Sequence, residues 1–67
     1  MIEMKIETCY GEMIACLEFC SDTEFTITVK EKPEVIAEGN SVPEAIKNMQ
    51  NLLRAVKNYE REKNDKL

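Results

Sequence analysis

The chain has no histidine, only two glycines and no cluster of basic residues free of acids, and each shortage closes off a class of chemistry. Without His, the commonest general base near neutral pH and a principal zinc ligand are both missing. Cys9, Cys16 and Cys20 form no C-x-x-C pair, so a four-ligand zinc site would have to draw on scattered carboxylates. They read as small reduced hydrophobes of a cytosolic protein. Two glycines cannot build a Gly-rich phosphate loop. No stretch approaches the roughly 18 consecutive apolar residues of a membrane span. The start, Met1-Ile2-Glu3-Met4-Lys5, alternates apolar and charged residues, unlike a signal peptide, and predicts a cytoplasmic protein.

Positive charge is also short. The net charge of -4 and a pI near 4.8 argue against nucleic acid, whose phosphates require clustered Lys and Arg. A basic protein partner fits better. Lys57, Arg61, Lys63 and Lys66 are interleaved with Glu60, Glu62 and Asp65, the pattern of a solvated helix end. Catalytic constellations are equally thin. Glu12 with Glu18, or Glu34 with Glu38, could be paired carboxylates, but nothing beside them would raise the pKa of one member for general-acid work. Cys16 lacks a base or basic neighbour in its own strand. The expectation is a non-enzyme without cofactor or metal.

What is present is periodicity. Ile2, Met4 and Ile6 alternate with Glu3, Lys5 and Glu7, which predicts a strand with one apolar face. Tyr10-Gly11 supplies a turn. Met13, Ala15, Leu17 and Phe19 then form an inward row, opposite Glu12, Ile14, Cys16, Glu18 and Cys20. Ser21-Asp22-Thr23 is turn chemistry, and Phe25, Ile27 and Val29 make a third strand rich in β-branched residues. Pro33 marks a turn or edge position before a short fourth strand at Val35, Ile36 and Ala37, ended by Gly39-Asn40. Ser41 and Glu44 form a capping box, with Pro43 in the first turn of a helix that begins near Val42. Val42, Ala45, Ile46, Met49, Leu52, Leu53 and Val56 give it a continuous apolar stripe, with Lys47, Asn48, Gln50, Asn51 and Arg54 opposite. Positions 60–67 carry no apolar residue before Leu67 and read as a frayed helix end or tail.

The predicted architecture is α+β: a four-stranded antiparallel meander with one C-terminal helix packed on one face, in the order ββββα. A chain of 67 residues buries only about 60% of its unfolded surface and makes one small domain, close to the minimum for a stable monomer. A homodimer or higher homo-oligomer would supply further burial. The sheet face away from the helix carries Ile14, Cys16, Cys20 and Ile36 among Glu18, Thr26, Thr28 and Glu38, an apolar centre with a polar rim. Ile14, Cys16, Glu18, Thr26, Thr28, Ile36 and Glu38 are the candidate partner-binding residues.

One segment resembles a known family. Phe25-x-x-x-Val29, Pro33, Val35-x-Ala37-x-Gly39-Asn40-Ser41 and Glu44-Ala45-Ile46-x-Asn48 look like the core of HicB-like antitoxin domains, with the spacing kept throughout. Lys30-Glu31-Lys32 stands where those domains usually have Pro-Asp-Leu, and Asn40 where they usually have Asp. The resemblance implies a HicB-like, partial ribonuclease H-like sheet. It further implies an acidic, often dimeric antitoxin-type module that neutralises a small basic ribonuclease toxin by covering its RNA-binding surface. No ribbon-helix-helix or helix-turn-helix segment follows the helix, so the operator binding of many such proteins is not carried over. Two other readings share the same surface: a structural homo-oligomer, and a mobile-element-encoded inhibitor of another host defence protein.

Overall fold

Each predicted alternation becomes a strand, and the capped stripe becomes the single helix. A computed structural model describes residues 2–65, with side chains through Arg61. It contains β1 (Ile2–Thr8), β2 (Gly11–Ser21), β3 (Glu24–Val29), β4 (Lys32–Gly39) and α1 (Val42–Asp65). The strands form one antiparallel sheet in the order β1-β2-β3-β4, and α1 lies across one side of it. The fold is therefore ββββα, an α+β meander roofed by one helix. Among the described residues no helix is long and apolar enough to cross a membrane.

Local chemistry sets the turns. Gly11 holds φ at +99°, a region open to glycine and rarely adopted by other residues. The Thr8 hydroxyl accepts from Tyr10 N–H at 3.0 Å and donates to the Gly11 carbonyl at 2.7 Å, closing the β1–β2 hairpin. At the start of α1 the Ser41 hydroxyl accepts the Glu44 N–H at 3.3 Å, and the exposed Glu44 carboxylate sits in the first turn, where the helix dipole favours it.

The register then lines apolar residues up across the sheet. Ile6 faces Met13, Met4 faces Ala15, Leu17 faces Ile27, and Ile27 faces Ala37. Ala45, Met49 and Leu53 from α1 are fully buried against this row, and Val42, Ile46, Leu52 and Val56 pack around them. Such burial contributes about 1.5–3 kcal/mol for each large aliphatic side chain.

Three expectations are corrected. Phe19 and Ile2 belong to the inward rows but are 67% and 50% exposed, because α1 leaves that corner of the sheet open. Phe19 packs instead on Phe25, ring centroids 4.7 Å apart. The fourth strand is not short. It runs eight residues from Lys32 and includes Pro33, which an edge strand tolerates beside the register shift between Thr28 and Val29. Asn48 and Gln50 do not simply face solvent. Asn48 Nδ2 donates to the Glu38 carbonyl at 2.7 Å and Gln50 Nε2 to the Glu7 carbonyl at 2.8 Å, so the helix grips both outer strands of the sheet.

At the far end of α1, four side chains tie the hairpin, β4 and the helix together. Tyr10 Oη donates to Glu60 at 3.2 Å, Lys32 Nζ lies 3.3 Å from the same carboxylate, and Lys57 Nζ donates to the Cys9 carbonyl at 2.7 Å. The Tyr10 ring receives both ammonium groups, at 4.8 Å from Lys32 and 5.5 Å from Lys57. Glu60, the first position of the expected frayed end, is thus held to the sheet, and the helix continues to Asp65. Side chains beyond Arg61, and the tail positions Lys66 and Leu67, lie outside the described residues.

The Glu60 hydrogen bond raises the Lys32 pKa above its ordinary 10.5. Partial desolvation, then the Glu60 carboxylate, raises Tyr10 above 10.0. Folded-state values above the unfolded ones mean stabilisation that is whole below the unfolded pKa and is lost as pH rises through the folded one. Glu60→Gln is therefore expected to melt below the parent at neutral pH, with the gap closing once the pH passes the raised values of Lys32 and Tyr10. Paired thermal melts across that range check it; a gap that stays constant contradicts the coupling.

Candidate functional site

The sheet face turned away from α1 displays all seven predicted partner-binding residues together. Alternation alone puts them there, because their neighbours in sequence fill the core. Cys16, Thr28 and Ile36 form one cross-strand row over β2, β3 and β4. Glu18, Thr26 and Glu38 form the next row, and Ile14 sits on the other side of the first, facing Lys5 of β1. Among the described residues no helix covers this side.

Exposure is uneven across the face. Ile36 is 55% exposed, whereas Ile14, Cys16, Thr26 and Thr28 are only half-buried between their cross-strand neighbours. Ile14 lies on the inner strand β2, flanked by β1 and β3, and Glu31 of the β3–β4 turn accepts its N–H at 3.3 Å. Ile36 is thus the large exposed aliphatic side chain of this face. Isolated exposed aliphatics are ordinary, but this one lies on the edge strand β4 between Glu34 and Glu38, which point to the same side of the sheet.

That frame is electrostatically lopsided. Near β1, Lys30 pairs with Glu3 at 2.9 Å and Lys5 with Glu12 at 3.7 Å. The Lys30 hydrogen bond holds the Glu3 carboxyl below its usual pKa, and Glu3 in return raises Lys30. These exposed pairs cancel charge and add little stability. On the β3–β4 side, Glu18, Glu34 and Glu38 make no ion pair among the described residues. Beside Ile14, Glu31 is left without an ion pair among the described residues, yet the larger excess of negative charge lies around Ile36.

The cysteines divide by place. All three are free thiols. Cys9 packs partly against the core at the hairpin, while Cys20 is exposed and lies 2.6 Å from the Thr26 hydroxyl. Cys16 Sγ donates to Glu3 Oε2 at 3.8 Å, a weak contact. The strand sequence of Cys16 gave no sign of the Glu3–Lys30 pair beside it, because both partners arrive through cross-strand register. Among the described residues no three His, Cys, Asp or Glu side chains converge as a metal site requires.

A shallow open groove runs between the end of β1 and α1, lined by Glu7, Thr8, Cys9, Gln50, Asn51 and Arg54. Within it the Gln50 amide donates to the Glu7 carbonyl, and the Thr8 hydroxyl is taken by the hairpin. Comparison with known protein families, curated proteins and solved structures finds no match, so the outer face is read from its own geometry.

Proposed function

We propose that the chain is a protein-binding inhibitory module of the HicB antitoxin type that works in the cytoplasm by covering a small basic ribonuclease. The observation that supports this most is the exposed Ile36 among Thr28, Thr26 and the unpaired carboxylates Glu34, Glu38 and Glu18. An exposed apolar side chain desolvates on docking and fixes the position of the partner; the acids beside it steer a basic surface toward it and discriminate against acidic ones. The HicB-like spacing from Phe25 to Asn48 adds the chemical class of that partner. Occlusion needs no catalytic group on this chain.

The test is capture from source cells followed by an RNA-cleavage assay with the purified partner. The parent protein is expected to retain a small basic ribonuclease and to abolish its activity near equimolar ratio. Ile36→Asp is expected to weaken that complex by about 2 kcal/mol, roughly thirtyfold, the loss typical of an interface anchor. Its melt should stay close to that of the parent, because more than half of the side chain is already in water. Retention of no basic nuclease, or equal inhibition by both proteins, would remove the proposal.

A further inference from the structure

We infer that β1 is the interface for a second copy of this chain, joined antiparallel about Met4 into a continuous sheet of two four-stranded halves. β1 is an edge strand, and its unpaired backbone groups are a template for another strand. Beside it, on the helix side, Ile2 is 50% exposed next to Phe19, an apolar corner that α1 does not reach.

The register follows from charge and from what the edge leaves free. Only pairings that set odd residues against odd and even against even keep Ile2, Met4 and Ile6 on the helix side in both copies. Centred on Lys5, such a pairing opposes Lys5 to Lys5 and Glu3 to Glu7, which is repulsive. Centred on Ile6, it requires Glu7, whose carbonyl already receives the Gln50 amide at 2.8 Å. Centred on Met4, it opposes Glu3 to Lys5 twice on the outer face and Ile2 to Ile6 twice on the inner one, and it uses the half of the edge that the helix leaves open. The existing Glu3–Lys30 and Lys5–Glu12 pairs are exposed and leave room for both side chains to share a second partner.

The opposite edge is less suited. On β4 the Glu38 carbonyl is taken by Asn48, Pro33 interrupts the strand, and self-pairing about Ile36 would set Glu34 against Glu38. Pairing at β1 leaves the outer face uncovered in both copies, so it does not depend on what that face binds.

Charge reversal on β1 tests the interface in the intact protein. Sedimentation across a dilution series is expected to show a dimer, and Lys5→Glu or Glu3→Lys to raise its dissociation constant about tenfold or more, since each makes both cross-strand charge pairs repulsive. An equimolar mixture of the two variants restores complementarity at both pairs and is expected to return dimers, with each variant alone melting as a folded protein. A monomer at every concentration overturns the inference. So does a dimer that tolerates Lys5→Glu, which would place the contact on β4 or on the outer face. Two weakened variants that fail to rescue one another overturn the register.

Discussion

Gly39→Ala is expected to abolish most of the cooperative thermal transition. A Cβ at Gly39 would stand 2.5 Å from the Ala45 nitrogen, 2.7 Å from its Cα and 3.0 Å from the Glu44 carbonyl carbon. Those atoms are backbone in the first turn of α1, so no side chain can rotate out of the way. Relief requires the helix to move off the end of β4, where Gly39 is buried and paired with Phe25. Overpacking of this kind costs about 3 kcal/mol. A single small core rarely supplies more than roughly 3–5 kcal/mol, so the loss is comparable to the whole. Circular dichroism melts check it, and a variant that melts within a few degrees of the parent contradicts the close approach. The same position explains the Gly39-Asn40-Ser41 sequence: the strand ends where the helix must begin, and only hydrogen fits between them.

The second large effect is a contrast between two aliphatic isomers. Leu53→Ala removes a fully buried side chain from the middle of the helix stripe and leaves a cavity, at about 3 kcal/mol by the usual large-to-small scale. Ile36→Ala removes the same number of carbons from a side chain that is 55% exposed, and its cost is expected to stay within about 0.5 kcal/mol. Urea unfolding of the two variants gives the difference directly. Equal losses would place Ile36 in the core and leave the outer face without its anchor.

The sequence was most readable where one side chain's environment follows from its neighbours in the chain. Period-two alternation in β1 and β2, turn chemistry at Gly11, and Ser41 preceding the stripe of α1 define those three elements and the face each presents, whereas β4 begins earlier than its Val35-Ile36-Ala37 run predicts. Periodicity says which side of the sheet a residue faces, and not where the helix lies on that side. Phe19 shows the limit: it keeps phase with Leu17 yet is exposed, because α1 passes nearer the opposite corner. The outer face has the same character. Alternation brings its seven residues together, but the contrast between a half-buried Ile14 and an open Ile36 depends on strand order, which puts β2 inside the sheet and β4 at its edge. The charge imbalance around Ile36 was hidden too, since it arises from Glu3 and Glu12 being neutralised across strands. Most distant of all were the bonds from Tyr10 and Lys32 to Glu60, which join residues far apart in the chain.

Asn48 and Gln50 lie two positions apart on one helix, yet each holds the carbonyl of a different outer strand. Lifting α1 away would strip protection from both margins in a single event while baring the apolar sheet beneath. A chain in that condition has two adhesive borders and can propagate end to end, whereas in the docked form a helix amide already occupies a carbonyl at each border. Helix seating is therefore also a safeguard against fibrous growth, and substitutions that loosen it would be felt first in solubility.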